Sequence, residues 1–425
     1  MSRRLLWCLP VLLSACSVLA DLGDERSAGA PDASAGSGGS GGGSAGAAGS
    51  GGSGGSAGAA GSAGSAGVAG SAGVAGSAGA AGSDASVGGS AGMDAGTDAP
   101  SDACGANLAK DPDNCGYCGH SCLGGDCVSG ECQPVQLTTT QHGARGLTLA
   151  DGNLFWGNID ISKVYMIDTS GGAPASWTLS VSGPSDVTTY GGYFYFAGKY
   201  DSKIHRLPTS GAQAPQTYWP TTGAVNSVAV DADGAYFDQP NAVAKSSGSS
   251  QTSLGTFPIQ PRFLALDASY VYVTAEDAGE VHRIPRAGGS SQKLFSAGTS
   301  TWAITVDDQW VYFSTWVASE VLRGKKDGSG ATQSIAAGQA GTFDMVISGN
   351  YLYWVNQGTY AGNYADGSVL RARIDGATPG VPEPLASQQD RPQGVAVDGQ
   401  AVYWVCFGNG TNTSLPPGSV WKLAL

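Results

Sequence analysis

The sequence predicts an all-β protein whose main domain is a seven-bladed β-propeller. An aromatic position recurs seven times at intervals of 36 to 50 residues, an aliphatic residue follows it in every copy, and a cation stands two residues further on in six copies. A repeat of about 40 residues made of short strands is typical of propeller blades. Alternating and β-branched residues support four strands per copy, labelled A to D from the axis outward.

Each repeated position has a fixed place in its blade. The aromatic residue belongs to strand B and is Phe155, Tyr195, Tyr236, Tyr272, Tyr312, Tyr353 or Tyr403. The aliphatic residue belongs to strand C and is Val164, Ile204, Val243, Val281, Val321, Val369 or Val420. The cation is Arg206, Lys245, Arg283, Arg323, Arg371 or Lys422.

The seventh copy predicts how the ring is closed. Its strands A, B and C are expected at Gly394–Val397, Ala401–Val405 and Ser419–Leu423, and no strand D follows them. The segment Val135–Thr139 has the composition of a strand D and no strands A to C before it. We expect it to complete the seventh blade, because closure removes the open sheet edges that promote aggregation. The propeller is therefore placed at residues 135–425.

Residues 1–16 are typical of an export signal, because two arginines precede an apolar stretch that is too short to span a bilayer. Leu13–Cys16 resembles the lipobox of bacterial lipoproteins. That resemblance implies that Cys16 is acylated and anchors the chain in the cell envelope, and Ser17 implies the outer membrane rather than the inner. An ordinary signal peptide with an incidental cysteine is the alternative.

The next segment, residues 17–103, is predicted to be a flexible tether. It is dominated by glycine, alanine and serine and has no apolar period, so nothing offsets the entropy of ordering it. Its glycine-, alanine- and serine-rich part, residues 27–102, reaches on the order of 45 to 50 Å. Silk-like packing is the alternative for such a tract.

A short cysteine-rich module follows at residues 104–132. Its six cysteines are Cys104, Cys115, Cys118, Cys122, Cys127 and Cys132. An even number of cysteines in an exported stretch predicts three disulfides, whose connectivity the sequence leaves open. The segment Asp111–Cys122 resembles a short module of secreted chains of myxobacterial type. Zinc is the alternative, because Cys115 and Cys118 have ligand spacing and His120 is near.

Net charge restricts the partners. The chain carries 21 cations and 34 acids, a net charge of −13. Such a surface repels nucleic acid and anionic headgroups, so membrane contact is expected through the lipid alone. No nucleophile elbow, phosphate loop or H-E-x-x-H motif is present, and we expect no cofactor, no metal and no catalytic residue. The protein is expected to be a monomer.

Short sequence motifs carry a family resemblance. The doublets Tyr353-Trp354 and Tyr403-Trp404, together with Pro392–Asp398, resemble the YWTD and NHL groups within the wider TolB-like and YVTN-like propeller superfamily. This resemblance covers residues 135–425. It implies binding of a protein or other ligand more often than catalysis.

Loop lengths predict one binding surface. The connection from strand B to strand C is longer in the sixth and seventh copies than in the first five. These two insertions contribute the candidate binding residues Tyr360, Tyr364, Phe407 and Asn409. Tyrosines beside amides give contact area at low entropy, so we expect a protein or glycan partner here. Loop variation without a partner is the alternative.

The residues that begin each strand A predict a second candidate surface around the mouth of the central channel. They are Arg145, Ser185, Asn226, Arg262, Trp302, Phe343 and Gln393, with Asp186 and Asp344 one step further in. This set suits a small polar ligand or a sugar. A merely hydrated funnel is one alternative. The other is a lyase or hydrolase, since seven-bladed lyases that inactivate antibiotics have a similar fold with their site at the mouth.

Overall fold

Short runs of β-branched and aromatic residues form strands throughout the described part of the chain. The computed structural model describes residues 104–139, 141–180, 183–247, 250–257, 260–298, 300–408 and 417–425. Among these residues there is no helix with the length and apolar character needed to cross a membrane. The predicted export signal, Cys16 and the tether lie outside the described residues.

Three short strands come first: β1 (Cys127–Val128), β2 (Glu131–Cys132) and β3 (Val135–Thr138). Blade 1 contains β4 (Ala144–Ala150), β5 (Asn153–Asn158), β6 (Lys163–Asp168) and β7 (Ala175–Thr178). Blade 2 contains β8 (Pro184–Tyr190), β9 (Tyr193–Gly198), β10 (Lys203–Pro208) and β11 (Gln216–Pro220). Blade 3 contains β12 (Val228–Asp231), β13 (Gly234–Gln239), β14 (Ala242–Ser247) and β15 (Ser250–Thr256). Blade 4 contains β16 (Pro261–Leu266), β17 (Tyr270–Ala275), β18 (Glu280–Pro285) and β19 (Gln292–Ser296).

The last three blades continue this order. Blade 5 contains β20 (Thr301–Val306), β21 (Trp310–Thr315), β22 (Glu320–Lys325) and β23 (Gln333–Ala337). Blade 6 contains β24 (Thr342–Ser348), β25 (Tyr351–Asn356), β26 (Gly367–Arg373) and β27 (Glu383–Gln389). Blade 7 contains β28 (Pro392–Val397), β29 (Ala401–Gly408) and β30 (Pro417–Ala424), with β3 as its fourth strand. The prediction of an all-β, seven-bladed propeller is confirmed.

The N-terminal strand closes the ring as predicted. β3 pairs antiparallel with β30, so that Val135 lies opposite Lys422 and Gln136 opposite Trp421. With β3 as its fourth strand, blade 7 combines strands from both ends of the propeller sequence. Closure leaves each blade packed between two others.

The core lies between neighbouring blades. One cluster joins Trp302 and Tyr312 of blade 5 to Leu352 and Trp354 of blade 6. The repeated aromatic side chain of strand B is at most 5% exposed in every blade. These large buried rings supply most of the apolar area that holds one blade against the next.

The repeated cation has a structural role in this packing. In blade 5, Arg323 lies opposite Tyr312 in the strand ladder, and its guanidinium stacks 4.2 Å from the centre of the Trp310 ring. Arg283 of blade 4 stacks in the same way on Tyr270. The cation therefore recurs in the sequence because it takes part in blade packing.

The acids at the turns from strand A to strand B are also structural. Asp398 accepts hydrogen bonds from the backbone N–H of Gln400 and Ala401 and from the hydroxyl of Tyr403. Asp267 and Asp307 make the same set of bonds in blades 4 and 5. Each carboxylate caps its turn and fixes the repeated tyrosine, as short polar turn residues do.

The cysteine module contains the three predicted disulfides. They join Cys104 to Cys118, Cys115 to Cys127 and Cys122 to Cys132. Cys115 and Cys118 belong to different bridges, so neither offers the thiolate that zinc requires. Leu123 packs against the cluster between blades 7 and 1, and Cys132 packs against the cluster between blades 6 and 7.

Candidate functional site

One face of the propeller carries the loops from strand B to C and from strand D to A. We call it the mouth face. Backbone hydrogen bonds tie the two kinds of loop together: Leu179 N–H to Ser162 O, Thr221 to Ser202, Phe257 to Asn241, Ala297 to Gly279, Gln339 to Ser319 and Arg391 to Tyr364. Both predicted surfaces, the insertions and the channel mouth, belong to this face.

Recurring glutamines anchor the D-to-A loops. Gln141 accepts a hydrogen bond from the indole of Trp156, at 3.2 Å. Gln339 and Gln389 do the same for the tryptophans that lie fifteen residues later, in blades 6 and 7. The loops of the mouth face are thus fixed to the blade cores.

Most residues of the predicted mouth ring are buried and do not line an open funnel. Five of its members are less than 9% exposed, namely Arg145, Ser185, Trp302, Phe343 and Gln393. The rings of Trp302 and Phe343 pack 5.7 Å apart, and Trp316 from the loop after strand B of blade 5 packs 4.8 Å from Trp302. Phe263 completes this aromatic cluster.

Two arginines of the ring flank the aromatic cluster. The guanidinium of Arg145 lies 4.6 Å from the centre of the Phe343 ring. That of Arg262 lies 4.7 Å from Trp302, and its Nε is 3.5 Å from Glu276. Cations over ring faces are attracted by the ring quadrupole, more strongly when water is excluded. The cluster is therefore a rigid cationic and aromatic floor beneath the mouth.

The two predicted channel acids tie blades together. Asp186 accepts from its neighbour Val187 N–H at 2.9 Å and, across the blade boundary, from Ser227 Oγ and Val228 N–H at 2.7 and 3.0 Å. Asp344 likewise accepts from Met345 N–H at 2.8 Å and from Val395 N–H of blade 7 at 3.0 Å. Both line a channel cavity of about 270 Å³.

Burial dominates the protonation of these acids. It raises the pKa of Asp344 to about 7, and the charge of Asp186 acts in the same direction against the backbone hydrogen bonds. Burial also raises the pKa of Asp186, which its hydrogen bonds and the charge of Arg145 oppose. A carboxyl group without solvent favours the neutral form. Burial therefore favours the protonated form of both channel acids.

Asn226 is hydrogen-bonded to a buried acid that sequence reasoning missed. Its backbone N–H and side-chain amide both donate to Asp238 at 2.8 Å. Asp238 is fully buried on strand B, and burial raises its pKa to about 6. The sequence signal that could have revealed Asp238 is its position directly after the apolar residues Tyr236 and Phe237 of strand B.

The insertion of blade 6 is a structured loop. Asp366 accepts from the backbone N–H of Thr359 at 2.7 Å and from its hydroxyl at 2.6 Å. Burial acts to raise the pKa of Asp366, but the hydrogen bonds from Thr359 outweigh it and lower the pKa. Tyr360 projects from this loop with 74% of its surface exposed, edge-on to Tyr364 at 6.2 Å.

Arg391 joins the two insertion regions. Its guanidinium lies between the rings of Tyr364 and Phe407, at 4.4 and 4.7 Å from their centres. Its backbone N–H donates to Tyr364 O, and its carbonyl accepts from Phe407 N–H. The structure thus brings Tyr360, Tyr364 and Phe407 together around an arginine that sequence reasoning missed, while Asn409 lies outside the described residues.

A histidine near the mouth has an acid in its vicinity that the sequence did not place there. A Cβ built on Gly143, the residue after His142, would lie 2.7 Å from Oδ2 of Asp160. Asp160 comes from the loop after strand B of blade 1. Gly143 and Asp160 are distant in sequence and meet because the loops of the mouth face converge.

The comparisons with known proteins support the fold. No family model matches the chain, and no curated protein matches it in sequence. A solved structure of catalytically inactive virginiamycin B lyase from Staphylococcus aureus with quinupristin is 16% identical, with a TM-score of 0.57 over 69% of this chain and 98% of that one. The chain shares its seven-bladed fold. A streptogramin B lyase structure gives 15% identity and a TM-score of 0.57 over 69% of this chain and 97% of that one.

Proposed function

We propose that this protein is an envelope lipoprotein whose propeller binds a protein or glycan partner through the mouth face. The observation that carries the proposal is the cluster of Tyr360, Tyr364, Arg391 and Phe407. Exposed tyrosines and a stacked arginine are the residue types that dominate binding energy at interfaces. Asp366 and the backbone bonds of Arg391 hold them in place before any partner arrives, which limits the entropy lost on binding.

The distribution of exposed apolar side chains supports the same face. Within the described part of the propeller, four large apolar side chains are more than half exposed, and three of them, Tyr200, Val317 and Tyr360, lie in loops from strand B to strand C. Val381 in blade 6 is exposed on the opposite face. Three of these four side chains therefore point to one surface, although they are scattered over it.

A pair of matched substitutions tests the binding face. Tyr360→Ser should reduce retention of envelope components by the immobilised full chain about tenfold, as expected for loss of a tyrosine anchor. Val381→Ser removes a side chain of similar exposure from the opposite face and should leave retention unchanged. Quantitative mass spectrometry and glycan analysis of the eluates measure both. Equal retention by wild type and Tyr360→Ser would refute the proposal.

Anchoring is tested separately. The proposed lipid on Cys16 would hold the chain in the envelope, in the outer membrane rather than the inner, and the tether would let the propeller stand clear of the membrane. Cys16→Ser should therefore move the protein from the membrane fraction to the soluble fraction on fractionation. A variant that stays in the membrane fraction would rule out the lipid anchor.

An enzyme with its site at the mouth is the second candidate. The placement of Asp160 against Gly143, next to His142, favours it, because a carboxylate near a histidine is an arrangement used in acid and base catalysis. Turnover of a substrate that is lost in His142→Ala but kept in Tyr360→Ser would establish this candidate.

A further inference from the structure

We propose that Arg391 is a receptor for the carboxylate of an acidic sugar, so that the glycan bound at the mouth face contains uronic acid. This inference rests on the proposed function and specifies its ligand. The argument begins with the position of Arg391 in the repeat.

Arg391 occupies a position that three other blades fill with glycine, while blade 5 has Ser300 there without a positive φ. The residue before strand A is Gly143 in blade 1, Gly183 in blade 2 and Gly341 in blade 6, with φ of 72°, 56° and 67°. In all of these blades its carbonyl accepts a backbone hydrogen bond from the loop after strand B, and Arg391 makes the same bond with Phe407. The four positions are therefore equivalent.

An arginine is unfavourable at this position. Arg391 has a φ of 56°, in the left-handed region that glycine adopts freely and L-residues with a Cβ avoid. Strain of this kind persists where the surrounding structure enforces it, and it concentrates at functional sites. Glycine in blades 1, 2 and 6 and Ser300 in blade 5 accept the same backbone bond, so blade packing does not require an arginine, and we infer that its side chain has a function.

Aromatic rings hold the side chain of Arg391 in place, but no ion pair balances its charge. Tyr364 and Phe407 cover the two faces of the guanidinium, and Nε is buried without a hydrogen-bond partner. Among the described residues no carboxylate forms an ion pair with Arg391. Residues 409–416 contain no aspartate or glutamate, so they offer none either. No hydrogen bond from the two Nη groups to a described residue is found, and we infer that they form the edge that a ligand can reach.

A carboxylate matches this edge. The planar guanidinium fork binds carboxylates through two parallel charge-assisted hydrogen bonds. The exposed ring of Tyr360 beside it suits the apolar face of a pyranose. The net charge of −13 opposes the approach of a long polyanion, so a short chain or a chain end fits best.

A sugar fits better than a protein surface. Stable protein interfaces bury about 800 Å² on each partner around an apolar centre. Tyr200, Val317 and Tyr360, the exposed apolar side chains of the mouth face, belong to blades 2, 5 and 6 and are separated from one another. A ligand that uses one arginine and one or two tyrosines needs no such continuous area.

Calorimetry on the full chain tests the inference, with trigalacturonate as probe and maltotriose as the neutral control. We expect trigalacturonate to bind and maltotriose to bind at least about tenfold more weakly. Arg391→Gly should weaken trigalacturonate binding about 10- to 100-fold, the range for one charge-assisted contact. Its urea midpoint should stay about the same, because relief of the positive φ offsets the lost stacking on Tyr364 and Phe407.

Two further variants separate this role from general effects. Arg391→Lys keeps the charge but not the fork and should retain only part of the affinity. Arg206→Gln removes an arginine that is likewise stacked between two tyrosines, Tyr193 and Tyr218, but lies in the repeated strand C position. It should leave trigalacturonate binding unchanged.

The outcomes distinguish this inference from the proposed function. No binding of trigalacturonate by the wild type, or equal binding by wild type and Arg391→Gly, overturns the inference alone, while the retention test on Tyr360 still decides the proposed function. Binding of a glutamate-containing peptide that depends on Arg391, without trigalacturonate binding, overturns the sugar assignment. A lower urea midpoint for Arg391→Gly assigns the side chain a structural role and overturns it too.

Discussion

Arg323→Leu is expected to lower the free energy of unfolding by about 3 to 5 kcal/mol. Arg323 is fully buried in blade 5. It donates to Gln333 Oε1 at 2.8 Å, to Ile374 O at 2.8 Å, and to Gly376 O and Ala377 O at 2.9 Å each. The last three acceptors belong to blade 6, so the side chain ties two blades together.

The loss is large because leucine leaves these carbonyls without donors. Ile374 is buried, so its carbonyl suffers the full desolvation penalty when it loses its donor, whereas Gly376 and Ala377 are exposed and their carbonyls can bind water. The lost bond to Gln333 and the lost stacking on Trp310 add to the effect. Urea unfolding followed by tryptophan fluorescence measures the change.

Arg206→Leu is the matched control at the same repeat position. The guanidinium of Arg206 stacks on Tyr193 and Tyr218, and no hydrogen bond from it is found among the described residues. Loss of stacking alone should lower stability by about 1 to 2 kcal/mol. Equal losses in the two variants would show that the contacts of Arg323 with blade 6 contribute nothing.

Stability should fall as the pH rises from 5 to 8. The pKa of Asp344 is about 7 in the folded protein, against an ordinary value of 3.8. Between these values the folded state binds more protons than the unfolded state, so raising the pH favours unfolding. Asp344 alone should account for roughly 2 to 3 kcal/mol over this range. The raised pKa values of Asp186 and Asp238 act in the same direction.

Asp344→Asn tests this dependence. The variant should be less stable than the wild type at pH 5, because an amide cannot accept from both Met345 N–H and Val395 N–H. Its stability should change less between pH 5 and pH 8. Asp375→Asn is the control, since a hydrogen bond from exposed Arg373 lowers the pKa of Asp375 and the group does not titrate in this range. An unchanged slope in Asp344→Asn would contradict the assignment.

The fold could be predicted because the repeat is regular. A tyrosine such as Tyr312 and a cation such as Arg323 face each other in the ladder of strands B and C, so their spacing reports strand pairing directly. The closing strand could be predicted because blade 7 lacked a strand D and Val135–Thr139 lacked a blade. Both inferences needed only local pattern and the requirement that every sheet edge be paired.

The site was less accessible to sequence reasoning. The ring residues at the start of each strand A follow from the repeat, but Trp316 comes from a loop, and no periodicity places it over Trp302. Arg391 carried a signal that alignment of the copies would have revealed, since Gly143, Gly183 and Gly341 occupy the equivalent position. Disulfide connectivity could not be predicted either, because six cysteines allow fifteen pairings and their order along the chain does not choose among them.

The central claim is that the loops of blades 6 and 7 on the mouth face form the binding surface. Hydrogen–deuterium exchange of the full chain, with and without the bound partner from envelope extract, tests it most directly. We predict slower exchange in residues 357–366 and 390–391, and no change in residues 374–382 on the opposite face. Slower exchange confined to residues 374–382, or to the turns between strands A and B, would contradict the account.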